Sequence, residues 1–160
     1  MSAQNEVGGE LPAGIFGAPL FDRESIVWWR GLERNEMTVQ ACDRCAVLRW
    51  PARALCNRCW SFECTWTAVS GTGTVVSWVT SRHPFGPWRH VPYTTALVRL
   101  TEQDDILIPA TYLSNDDTLT IGSPVVASYL DTSSLRPTGA HTPDGGPEPT
   151  TVLAWRAAEI

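Results

Sequence analysis

The residues with the clearest chemistry are four thiols: Cys42-Asp43-Arg44-Cys45, ten intervening residues, then Cys56-Asn57-Arg58-Cys59. Two C-x-x-C pairs at this separation match the pattern of a tetrahedral metal site. Each knuckle turns tightly enough for two sulfurs to reach one ion, and the intervening segment brings the second pair round. Four thiolates fill a tetrahedron and leave no position for water, so the expected role is structural rather than catalytic. Zinc is the default ion. Iron in a rubredoxin-like S4 site is the runner-up, because the geometry does not separate them. Two disulfides or two unlinked Cys pairs are the bland alternative. Cys64 is an odd fifth thiol, read as a buried small hydrophobe rather than a ligand.

A second stretch carries reactive side chains without a catalytic pattern. Arg82, His83, Trp88, Arg89, His90 and Tyr93 lie in one loop with Pro84, Pro87 and Pro92. The prolines stiffen it, the arginines suit phosphates, and the rings suit an adenine or an acyl chain. A surface loop tied down by its own aromatics is the competing reading. His83, His90 and His141 accompany no nucleophile signature such as G-x-S-x-G.

Composition bounds the rest. At 160 residues the chain is one domain or two small ones. No apolar run approaches the length of a membrane span and no signal-peptide pattern opens the chain, so a soluble protein of a reducing cytoplasm is expected. All 12 basic residues are arginine and the net charge is −5. The segment from Val39 to His90 is nonetheless locally basic, with six arginines against Asp43 and Glu63. That suits a phosphorylated small molecule better than a nucleic acid, although a ribbon-plus-barrel nucleic-acid module stays open. Eight tryptophans are a heavy load, fitted to a core or to interface centres.

The elements that position these groups follow from periodicity. Residues 1–20 read as a flexible arm without pattern. Residues 21–36 read as a helix that Asp22 can cap, with Phe21, Ser25, Trp28 and Leu32 on one stripe flanked by Ile26 and Trp29. Trp28, Trp29 and Leu32 pack either on the chain's own body or on a partner. Residues 37–62 form the ribbon. From 63 to 160 the period becomes two, with alternation through Phe62, Cys64, Trp66 and Ala68, strands at 74–82, 94–100 and 106–113, another running through 119–121, Gly122 and 125–130, and a closing strand at 151–156. A Pro/Gly-rich loop, 131–150, separates the last two. The fold class is thus mainly β: an N-terminal helix and rubredoxin-like zinc ribbon, then a five-stranded OB-fold barrel, with a sandwich as the alternative.

The ordered set W-W-R-G-L, V-Q-A-C-x-x-C, R-W-P-A-R-x-x-C-x-x-C-W-S, S-G-T-G-T-V, P-Y-T-T-A-L-V-R-L and I-G-S-P-V covers about residues 21–130. It resembles a bacterial and archaeal family of small acyl-CoA-associated proteins in which a helix and zinc ribbon precede an OB-fold. The resemblance implies one structural zinc on Cys42, Cys45, Cys56 and Cys59 and no organic cofactor. It also implies that Ser70-Gly71-Thr72-Gly73 opens the barrel and that the Trp28-Trp29 helix belongs to the family's N-terminal element. By the same resemblance the chain is a non-catalytic companion of a thiolase or thiolase-like aldolase, with acyl-CoA near the interface. Steroid side-chain degradation is one setting for such complexes. Pairing with a hot-dog-fold enoyl-CoA hydratase is the alternative within the family; a small enzyme or electron carrier is the alternative outside it. Two positions depart from the family pattern. Ala46 stands where Gly is usual after the second Cys, and Ala52 replaces the second Pro of Pro-Pro-Arg.

Overall fold

A computed structural model describes residues 19–83, 91–134, 139 and 141–159. The expected arm, 1–20, falls almost wholly outside them.

Helix α1 spans Ile26–Glu33, shorter than the expected 21–36. Asp22 caps the turn before it: its Oδ1 accepts from the Glu24 and Ser25 N–H groups at 3.1 and 2.7 Å. At the other end Asn35 adopts φ 57°. Its N–H donates to the Leu32 carbonyl and that of Glu36 donates to Gly31, a left-handed cap that closes the last turn early. Gly31, a poor helix former inside α1, has a packing reason. A Cβ there would sit 2.8 Å from the Glu36 carbonyl oxygen and 2.9 Å from Thr38 Oγ1, so glycine lets α1 lie flat on the strand that follows.

That strand, β1 (Met37–Cys42), is the centre of a three-stranded antiparallel sheet with β2 (Leu48–Arg49) and β3 (Cys64–Val69). Residues 64–69 fall in the region 63–160 that was expected to belong to the barrel domain. This strand pairs along its whole length with β1, from Met37 against Val69 to Cys42 against Cys64, so the ribbon's sheet is larger than 37–62 and the barrel strands begin later. Five of the six residues of β1 are buried, because α1 covers the strand beside Thr38 while Met37 and Val39 join the same apolar cluster as the barrel residues Val75 and Val98.

The barrel is built from β4 (Thr72–Ser81), β5 (Tyr93–Leu100), β6 (Leu107–Tyr112), β7 (Pro124–Asp131) and β8 (Thr151–Ala157), closed in the order β4-β5-β6-β8-β7. The β6–β8 pair is parallel and the other pairings are antiparallel. Closure leaves no free edge among these strands, the usual solution for a small twisted sheet. β4 pairs on both sides at its start. A Cβ on Gly73 would collide with the Arg99 carbonyl oxygen and Val98 Cγ1. Residues 119–121 do not form a strand; a 3-10 turn at Asp116–Thr118 leads across to β7. Trp155, fully buried, donates its indole N–H to the Ile108 carbonyl and fills the interior.

Loop 131–150 was expected to be a flexible linker, yet its described part is held. Arg30 on α1 grips Asp144 through Nε and Nη2 at 2.9 and 3.2 Å. The Thr132 N–H donates to the Thr150 carbonyl, and Pro149 is fully buried.

Candidate metal centre

The two knuckles have the same backbone design. In the first, the Ala46 N–H donates to the Cys42 carbonyl at 2.8 Å, and the Cys42 N–H to the Val47 carbonyl at 3.0 Å. In the second, Trp60 donates to Cys56 and Cys56 to Ser61, both at 2.9 Å. Each turn needs a left-handed residue after its second cysteine, supplied by Ala46 at φ 59° and Trp60 at φ 63°. Neither is glycine, so both corners carry backbone strain.

The four sulfurs converge. All lie within 4.8 Å of one another, with Cys42–Cys59 at 3.5 Å and Cys45–Cys56 at 3.8 Å. An ion with metal–sulfur bonds of about 2.3 Å in a tetrahedron separates its ligands by about 3.8 Å. The donor set therefore fits one tetrahedral metal ion. Cys64 faces Cys42 across the sheet but is not one of the converging four, as the sequence indicated.

Electrostatics argue the same way. The Cys45 N–H, followed by that of Arg44, pulls the Cys42 thiol below its usual pKa despite burial. Burial pushes the Cys56 thiol up, but the N–H groups of Arg58 and Cys59 and the neighbouring thiols outweigh it and bring its pKa down to about 6. At Cys59 the Ser61 N–H pulls down, while burial and the other three thiols carry the pKa up to about 12. Four thiols this close cannot all ionise unaided; a cation held by Cys42, Cys45, Cys56 and Cys59 would supply the missing charge. Arg44 and Arg58 are both exposed, and Arg44 Nη1 donates to the Cys59 carbonyl at 3.4 Å.

The other expected site residues separate. Trp28 and Leu32 are buried in the chain's own core, where Trp28 packs against Trp50 with ring centroids 5.6 Å apart, and Trp29 is half-buried. This side of α1 is therefore internal packing. Arg82 and His83 are exposed at the end of β4, and Tyr93 is half-buried opposite Ser81 at the start of β5. Trp88, Arg89 and His90 lie outside the described residues.

Three features were not read from the sequence. Asp116 Oδ2 accepts from the Thr94 and Thr80 hydroxyls at 2.6 and 3.0 Å, pinning the 3-10 turn over this end of the barrel. These bonds, with the nearby Arg82 charge, hold the carboxyl below its usual pKa. Gln103 bridges barrel and ribbon by pairing with Leu48. Trp60 and Phe62 stand exposed on the second knuckle. Only the last had a signal: Trp60 occupies the same place in its knuckle as Ala46 does in the first.

Fold and site together define an OB-barrel protein with a ribbon carrying a four-thiol metal site. Residues 66–129 match the family described as the C-terminal OB-fold domain of ChsH2. The chain is 31% identical over 122 residues to the probable enoyl-CoA hydratase alpha subunit of Thermomonospora curvata, covering 76% of this chain and 38% of that protein. It is 29% identical over 130 residues to the 3-oxo-4,17-pregnadiene-20-carboxyl-CoA hydratase alpha subunit of Mycobacterium tuberculosis, covering 79% and 40%. The chain thus spans about two-fifths of the length of these relatives. Among solved structures, the Ltp2-ChsH2(DUF35) aldolase matches with a TM-score of 0.70 at 28% identity, over 87% of this chain and 98% of that one. A DUF35 protein of unknown function from Sulfolobus solfataricus shares the fold, with a TM-score of 0.54 at 16% identity over 85% of this chain and 86% of its own. The barrel region is thus similar to the ChsH2 OB-fold domain, and the described chain shares its fold with the DUF35/ChsH2 structures. Among the described residues no helix is long and apolar enough to cross a membrane.

Proposed function

We propose that this chain is a non-catalytic accessory subunit that binds a thiolase-like acyl-CoA enzyme and supports its acyl-CoA site, the reaction being thiolytic or retro-aldol. The observation that carries this reading is the near end-to-end match to ChsH2 in a structure described as an aldolase with Ltp2. The chemistry of the metal set agrees: four thiols close the coordination shell, so the ion holds the ribbon's shape and offers no place for substrate. Zinc is the ion proposed; when bound it supplies rigidity and cancels thiolate charge. Arg82, His83 and Tyr93, with Trp88, Arg89 and His90 of the same loop, are proposed to face the acyl-CoA. The name of the Mycobacterium tuberculosis relative favours a steroid acyl-CoA as the substrate class.

Purification with a thiolase-like acyl-CoA enzyme from the same organism tests the reading. A stable hetero-oligomer that cleaves a steroid acyl-CoA, with neither chain active alone, supports it. Turnover of the thioester by this chain alone sinks it. The names of the two curated relatives favour a second reading, in which the partner is an enoyl-CoA hydratase subunit. Hydration of an enoyl-CoA by a hot-dog-fold partner, with no binding to the thiolase-like protein, would select that reading instead. Metal analysis separates zinc from iron: one colourless ion per chain against a red, redox-active one.

A further inference from the structure

Most of the large apolar side chains in the ribbon region turn inward, but the second knuckle is different. Trp60 is 72% exposed and Phe62, two residues on, is 70% exposed. Trp60 is also held at φ 63°, a conformation that a residue with a bulky side chain adopts only under strain. Glycine at this position would relieve the backbone and remove the exposed ring together, so neither local structure nor solubility accounts for tryptophan. The flanks carry a net positive charge, with exposed Arg44, Arg53 and Arg58 against exposed Asp43 and Glu63. Arg58 lies two residues before Trp60 in the same knuckle, and Arg44 reaches across to the carbonyl of Cys59, the residue just before it. Exposed aromatics beside exposed guanidinium groups on a rigid turn have the make-up of an interface centre.

We infer that Trp60 and Phe62 are the anchor by which the ribbon docks into an apolar pocket, rimmed by carboxylates, on a different protein. This rests on the reading of the chain as an accessory subunit and names the surface that reading leaves open. A second copy does not fit. Exposed Arg44, Arg53 and Arg58 outnumber exposed Asp43 and Glu63 around this knuckle, so a two-fold contact would set a net positive surface against its own copy. The metal-stiffened turn holds the ring in place before contact, so little side-chain freedom is lost on docking.

The test uses the metal-loaded chain and a thiolase-like acyl-CoA enzyme from the same organism, with affinity measured by calorimetry. Trp60→Gly and Phe62→Ser should each weaken binding by about a hundredfold, the range of interface anchors. Arg58→Glu should weaken it by about tenfold and reverse its salt dependence. Each variant should keep one metal per chain and an unchanged or higher melting temperature. Wild-type affinity in both Trp60→Gly and Phe62→Ser overturns the surface and leaves the accessory role standing. No binding by the wild type overturns both. A homodimer, or a complex with single-stranded nucleic acid, that Trp60→Gly dissolves overturns the choice of occupant.

Discussion

Gln103, in the turn between β5 and β6, satisfies both backbone groups of Leu48 in β2. Its Oε1 accepts the Leu48 N–H at 2.8 Å and its Nε2 donates to the Leu48 carbonyl at 2.9 Å. One side-chain amide thus pairs with a strand as a neighbouring backbone would, and ties the barrel to the ribbon. Glu102 beside it accepts from the Ser70 N–H at 2.6 Å at the join between β3 and β4. The acidic turn is therefore a clamp between the two parts. Gln103→Ala leaves a half-buried N–H and C=O without partners and should destabilise the protein by about 1–3 kcal/mol. Hydrogen exchange at the Leu48 amide reads the effect directly; unchanged protection would remove the clamp from the account.

Metal and ribbon should be lost together. Cys56→Ser is expected to bring metal content from one per chain to none and to expose the amides of β1–β3, because a four-ligand site does not survive loss of a buried thiolate. Cys64→Ser should keep its ion, since Cys64 lies outside the converging set. Elemental analysis of the two variants distinguishes them. An ion retained by Cys56→Ser would contradict the assignment.

Ala46 sits at φ 59°, so a glycine there relieves strain at the first knuckle. Ala46→Gly should stabilise the metal-loaded chain by about 0.5–1 kcal/mol, the gain shrinking with the extra freedom of the unfolded glycine. That corresponds to a rise in melting temperature of about 1–4 °C for a chain of this size. A fall on substitution would mean that the methyl group makes a contact worth more than the strain.

Arg30 and Asp144 make stability depend on acid. The Arg30 hydrogen bonds, followed by the Gly146 N–H, hold the Asp144 carboxyl well below its ordinary value of 3.8. The unfolded chain then binds the proton more readily than the folded one. This contribution is present above the ordinary carboxylate pKa and is lost as pH falls through and below it. Asp144 is partly exposed, so the effect is modest. Asp144→Asn should be less stable than wild type at pH 6, with the difference shrinking toward pH 3. A constant difference in melting temperature across that range would rule the ion pair out as its source.

Leu32 is fully buried in the chain's own core rather than offered to a partner. Leu32→Ala should cost about 2–5 kcal/mol in urea unfolding. A stable variant whose only defect is in complex formation would return α1 to the interface.

Spacing alone determined the metal site. Two C-x-x-C pairs constrain their own backbones, so Cys42, Cys45, Cys56 and Cys59 could be assigned without knowing the surroundings, and Cys64 set aside. Period-two alternation likewise marked most barrel strands, because one face of each must meet a core. What the tertiary structure decided is whatever depends on which neighbour a strand or side chain meets. Residues 64–69 look like any strand, and only the pairing with β1 assigns them to the ribbon. A tryptophan has the same composition signal in a core as on a surface. Trp28 is covered because α1 lies on β1 across Gly31, while Trp60 is turned outward by a left-handed corner that the metal knuckle requires.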